Sequence, residues 1–190
     1  MAGYGIIADI SKYLLDTVRN SVCPNLIQSR EQISFGSPNS ENQTALLCVY
    51  LYGIQDHYDY FPRDAASLLQ SSSRKTAKAL SLQYILFFSR HAQMPLDALT
   101  GQRVFGRLIQ QFSVGPTIDI AGIHAEADRE DLPAEIAFSK LDSHQRQELW
   151  NGFSEPLRPA IYLQIGPVLL AGESESLNRV GEFSGEVENV

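Results

Sequence analysis

The chain has 190 residues, 44% hydrophobic and 19% charged, and carries a formal net charge of −7. That length supports one self-sufficient hydrophobic core, and the small charged fraction leaves surface for partner proteins to cover, although Ser, Asn and Gln also solvate a surface. The acidic balance, with no basic cluster denser than Arg74-Lys75 and Lys78, excludes a groove that tracks nucleic-acid phosphates; Arg103 and Arg107 share a helix face, but two charges make no track.

No 18-residue apolar run occurs, and no basic segment followed by an apolar one opens the chain. A membrane span and a conventional secretion signal are both disfavoured. The expectation is synthesis and assembly in the cytoplasm, with no direct membrane contact. Cys23 and Cys48 stand in apolar surroundings that suit buried free thiols.

In chain order, Ile7, Ile10, Leu14, Leu15 and Val18 recur at helical spacing, with Lys12, Asp16 and Arg19 largely opposite. Pro24 closes this first helix. A short strand is predicted over 32–35, then a turn-rich loop over 36–42. Residues 45–54 are nearly all apolar and read as a central strand covered on both faces.

Residues 55–77 form a long connection without clear periodicity, an arm that is functional or ordered on assembly. It opens with the aromatic-acidic run 56–61, where clustered exposed aromatics call for something to pack on them. Over 80–88 the pattern is strand-like: Leu80, Leu82, Tyr84, Leu86 and Phe88 face one way, Ser81, Gln83, Ile85, Phe87 and Ser89 the other.

A helix follows over 96–112, with Val104 or Phe105, Leu108, Ile109 and Phe112 as its apolar stripe and Gly115-Pro116 as its stop. Gly101 and Gly106 inside it allow close packing rather than cradle phosphate. Residues 117–123 read as an edge strand, 124–135 as an acidic loop and 134–138 as a short strand. Ser143 is expected to cap a short helix through Trp150. The last strand covers 160–165 and extends to 170, bulged or at an edge where Pro167 removes a donor.

From 173 to 190 there are five acidic residues and one basic, with scattered Leu177, Val180, Phe183 and Val187. This is a tail, flexible or ordered on a partner. The pattern predicts an α+β domain over 1–171 plus the acidic tail 172–190. Its sheet is mixed, mainly antiparallel, with four to six strands and about three helices packed on it.

The residues offer little chemistry. Asp56, His57 and Asp59 diverge too much for an easy metal site, and His124, Glu126, Asp128 and Asp131 lack the glycine and spacing of a calcium loop, so they read as a charged surface turn. His91 reads as a strand-end histidine bonded to backbone, and His144 as solvent-facing. No nucleophile elbow, dinucleotide fingerprint or phosphate-binding lysine loop is present. No catalytic residue, cofactor or metal is assigned.

Aromatic residues are the distinctive ones. Tyr50, Tyr52, Tyr84, Phe105, Phe112, Trp150, Pro159 and Tyr162 are assigned to the structural core. Asp56, Tyr58, Tyr60, Phe61, Arg74 and Lys75 of the arm, with Leu177, Phe183 and Val187 of the tail, are assigned to interfaces, where aromatics gain contact area at small entropic cost.

Several segments in this order resemble one family. They are Ile7-Ala8-Asp9-Ile10-Ser11, Val49-Tyr50-Leu51-Tyr52, Leu80-Ser81-Leu82-Gln83-Tyr84, Leu99-Thr100-Gly101-Gln102-Arg103-Val104-Phe105, Leu149-Trp150 and Leu157-Arg158-Pro159. Across residues 5–170 the chain resembles the tail-terminator or cap proteins of contractile phage-tail-like injection systems, of the virulence-cassette and antifeeding-prophage type.

The resemblance implies a phage tail-terminator-like fold and no catalytic motif. It also implies a ring, a hexamer of identical subunits, on the distal end of the inner tube. Such a ring engages the last sheath layer, ends tube and sheath polymerisation and stabilises the extended state. Tube and sheath proteins are then its partners, and the arm or the tail completes a sheath strand edge. Three features depart from the family: 111–114 lacks a His-Asn-like pair, the 56–61 run is particular to this chain, and the tail is too short for the larger C-terminal extension of some members. The alternative is a non-enzymatic adaptor or scaffold domain that forms no ring. An enzyme would require His91 or His57 in a concave site beside a nucleophile or second base.

Overall fold

A computed structural model describes residues 2–41, 44–57, 77–92, 96–125, 127 and 132–171. Helix α1 spans Ile6–Val22 and buries Ile6, Ile10, Leu14, Leu15, Val18 and Val22. Those positions share one face at 3.6 residues per turn, so the helix lies flat on the sheet. Its Arg19 guanidinium donates to the Ile33 carbonyl at 2.8 Å, tying the helix to β1 (Ile33–Phe35).

Strands β2 (Leu47–Asp56), β3 (Ala77–Phe88), β4 (Thr117–Ile118), β5 (Ala134–Phe138) and β6 (Ala160–Ala171) complete a six-stranded sheet ordered β1-β2-β3-β6-β5-β4. β1 and β2 run parallel, and every other neighbouring pair is antiparallel. The fold is therefore α+β with a mixed, mainly antiparallel sheet, and among the described residues its α-helices are α1, α2 (Ala98–Phe112), the four-residue α3 (Ile120–Ile123) and α4 (Ser143–Gly152).

The two faces of β3 divide as its alternation predicts. Leu80, Leu82, Tyr84 and Leu86 enter the larger core with α1 and α2, while Ile85 and Phe87 join Trp150, Tyr162, Cys48 and Ala45 on the opposite side. β2 has both faces covered over its first residues, but Ile54, Gln55 and Asp56 are exposed at its far end.

Pro167 is accommodated in both of the expected ways. Leu80 pairs with Val168 and Leu82 with Ile165, so Gly166 and Pro167 bulge opposite Ser81. The β5 ladder reaches only to Gly166, leaving Pro167 with no β5 partner. A Cβ at Gly166 would lie 3.0 Å from the Leu80 carbonyl oxygen, so any larger residue there would push the two strands apart at the bulge.

Several expectations are corrected. Residues 117–123 do not form one edge strand: β4 stops after Ile118 and α3 follows. The α4 cap is Asp142, whose carboxylate accepts from Gln145 N–H at 2.8 Å while the Gln145 amide oxygen accepts from Asp142 N–H. Ser143 is the first helical residue. On α2 the buried stripe is Val104, Leu108 and Phe112; Ile109 is exposed. Gly101 lies against Phe88 as expected, but around Gly106 there is open space.

β2 continues through Asp56 and β3 begins at Ala77, which shortens the arm at both ends. Tyr58, Tyr60, Phe61, Arg74 and Lys75, and the tail residues Leu177, Phe183 and Val187, lie outside the described residues.

Candidate interaction surfaces

On the α4 side of the sheet, Trp150 is fully buried and organises an aromatic cluster. Its indole N–H donates to the Tyr162 hydroxyl at 2.8 Å, which satisfies the one polar atom of a buried Trp. Phe87 and Phe153 meet it edge-on, with centroids 5.9 Å and 6.0 Å away, and Tyr50 packs edge-on against Phe153 at 5.8 Å.

Two arginines cover this cluster. The Arg158 guanidinium lies 5.0 Å from the centre of the Trp150 ring and pairs with Glu155, which Arg90 also approaches at 3.4 Å. Arg146 lies 5.4 Å from the centre of the Tyr162 ring, is exposed, and has no carboxylate partner among the described residues. Its position follows from sequence: four residues before Trp150, it occupies the same helix face one turn earlier.

Between α4, the approach to β6 and the end of β5 runs an open trough. One part, about 400 Å³, is lined by Arg146, Leu157, Pro159, Ala160 and Tyr162 among others. A second, about 170 Å³, shares Arg146, Ala160 and Tyr162 and continues to Ile109 and Phe138. Leu157, Ile109 and Phe138 are exposed large apolar residues at its margins.

The assigned core residues fall into three groups. Trp150, Tyr162, Tyr84 and Phe112 are buried. Tyr50, Tyr52 and Phe105 are half-buried, Phe105 against Phe88 with centroids 4.7 Å apart. Pro159 is exposed, because it sits where the chain turns into β6 outside the packed cluster, and it lines the trough instead. The Tyr84 hydroxyl pairs with Ser11 at 2.8 Å, and burial pushes its pKa up to about 12. Of the assigned interface residues, Asp56 is described; its carboxylate pairs with Lys78 at 2.8 Å across the β2–β3 hairpin.

The histidines separate. His124, expected in a charged surface turn, is buried instead. Its Nδ1 stands 2.8 Å from the Asp9 carboxylate, and its Nε2 accepts from Gly3 N–H at 3.2 Å. These bonds join α1 to the segment after α3 across 115 residues, a separation no local pattern reveals. The His124 bond is the first cause holding the Asp9 carboxyl below its ordinary pKa. His144 is solvent-facing and approaches Glu148 at 3.5 Å.

His91 is exposed on a polar depression of about 550 Å³ that Ser154 and Glu155 also line. The His91 backbone N–H donates to Ser89 Oγ at 3.1 Å, and Glu155 is engaged by Arg158 and Arg90. Among the described residues no three His, Cys, Asp or Glu side chains converge as metal ligands, and no helix is long and apolar enough to cross a membrane.

The fold is shared with proteins that terminate tubes. It is similar to the PVC sheath/tube terminator of an extracellular contractile injection system in the extended state, with a TM-score of 0.55 at 13% identity over 97% of this chain and 64% of that one. It is also similar to the anti-feeding prophage cap, a tube-terminating cap, with a TM-score of 0.58 at 12% identity over 96% of this chain and 61% of that one. This chain thus covers less than two thirds of either. Residues 9–180 match the model of the Pvc16 N-terminal domain, and the chain belongs to that family. No curated protein sequence matches it.

Proposed function

We propose that this chain is a structural cap of a contractile injection particle. Copies of it form a ring, a hexamer, on the distal end of the inner tube. The ring engages the last sheath layer, ends tube and sheath polymerisation and holds the extended state. Synthesis and assembly take place in the cytoplasm, and the chain works without catalysis.

The observation that carries this reading is the family match over 172 residues, 9–180, on a fold that two tube-terminating proteins share. The physical reason for a cap is geometric: a stack of rings grows until its end face is covered by a surface that cannot accept another ring. A chain whose described residues offer surfaces rather than a catalytic constellation suits that task.

The test is to image tube and sheath assemblies produced with and without this chain. Tubes of uncontrolled length and sheaths that contract early in its absence are expected. Particles of normal length with closed ends would reject the proposal.

A further inference from the structure

The trough beside α4 has three properties that together describe an occupant. Its margins carry exposed Leu157, Phe138 and Ile109, which favour an apolar side chain. Its one exposed guanidinium, Arg146, stacks on Tyr162 and has no carboxylate partner among the described residues. Its lining includes the start of β6, beside which the described strand β5 does not extend. β5 pairs with β6 no further than Phe138 opposite Leu163, and one more bond runs from Ser139 N–H to the Tyr162 carbonyl. Among the described residues, Ala160 and Ile161, before that point, pair only with β3.

An extended segment with alternating acidic and apolar residues satisfies all three. The chain itself carries one. In Glu182-Phe183-Ser184-Gly185-Glu186-Val187-Glu188 the apolar and small positions 183, 185 and 187 alternate with polar ones, and residues 173–190 together carry a net −4, five acids against one arginine.

We propose that the trough receives the acidic C-terminal segment of a second copy of this chain, as a strap between neighbouring subunits. The placement of donor and acceptor favours another copy over the same one. The tail departs after Ala171 and the trough lies at Ala160, at opposite ends of β6. Eleven residues of strand separate the two ends by about 36 Å, so a tail docking on its own trough has to lie back along β6 from Ala171 to about Glu182 and order that whole connection as well. Donor and acceptor at opposite ends of one element make a head-to-tail contact, the kind that closes rings when the rotation fits. The strap deepens the ring reading above and rests on it.

The experiment compares the full chain with a chain ending at Ala171, which retains every described residue. A fluorescent peptide of residues 173–190 is titrated onto the shortened chain by anisotropy. Saturable binding that weakens as salt rises is expected, because exposed charge pairs are screened. Arg146→Glu should lower affinity at least tenfold, and a peptide with Glu186→Lys and Glu188→Lys should recover part of the loss. Leu157→Asp tests the apolar margin independently, with circular dichroism checking that each variant is folded.

Light scattering then identifies the source of the segment. The full chain should associate with rising concentration and the shortened chain should stay smaller. Failure of the peptide to bind overturns the strap. So does a full chain that stays monomeric and refuses the peptide, because its own tail then fills the trough. A shortened chain that still forms the full chain's ring also overturns the strap while leaving the cap reading intact. The cap reading fails on its own test, when particles lacking the chain end normally.

Discussion

The two faces of this sheet are built on different principles. The face under α1 and α2 is aliphatic: Ile6, Ile10, Leu14, Val18, Val104 and Leu108 interdigitate with Leu82, Leu86, Leu163 and Ile165. The face under α4 is small and aromatic, with Trp150 as its hub, a hydrogen bond inside it and two arginines over it. The aliphatic face spreads stability over many replaceable contacts. The aromatic face concentrates it in a few rings with polar handles, and those handles hold charged groups at the surface. Interaction surfaces are therefore best sought on the α4 side.

The largest expected effect strikes that aromatic hub. Trp150→Ala should lose about 4 kcal/mol of stability by urea unfolding, as deletion of a fully buried large ring does. Leu14→Ala, on the aliphatic face, should lose about 3 kcal/mol. The contrast sharpens in their consequences. Tryptophan fluorescence of the folded Leu14→Ala protein should match that of the parent, since α1 lies across the sheet from Trp150. A shifted emission would break the division into two faces.

Next in size is an alkaline effect on the aliphatic side. In the unfolded chain Tyr84 ionises near pH 10, and in the folded protein at about 12. The folded pKa is raised, so the associated stability is present in full below pH 10 and is lost as pH rises through 12. Two pKa units amount to about 3 kcal/mol. Tyr84→Phe should flatten this decline in stability between pH 10 and 12. Tyr52 and Tyr162, raised by burial in the same direction, leave a residual slope.

Smaller effects address the helices. Asp142→Ala removes the capping box of α4 and should cost about 1 kcal/mol, seen as a lower urea midpoint. Gly106→Ala should stabilise the protein by about 0.5–1 kcal/mol, because a Cβ there meets nothing within 4 Å and glycine is a poor interior helix residue. If that variant is more stable yet impairs particle assembly, a partner approaches α2 closely at Gly106.

Local geometry is legible in the sequence. Alternation divided the faces of β3, helical spacing selected the buried side of α1, and a proline late in the last strand signalled the bulge opposite Ser81. Each of these follows from a period of 2 or 3.6 residues, or from one missing N–H, and none needs a distant partner. The aromatic plug at Trp150 was also legible as a large apolar residue at the end of a short helix.

The remaining features come from long-range packing. Strand order set which residue lies across from which. It buried His124 against Asp9, left Pro159 and Ile109 outside the packed core, and ended β5 short of the first residues of β6. The trough exists because α2, α4 and β6 converge there from three separate parts of the chain. Such a surface is a sum of long-range placements, and no single segment of sequence carries it.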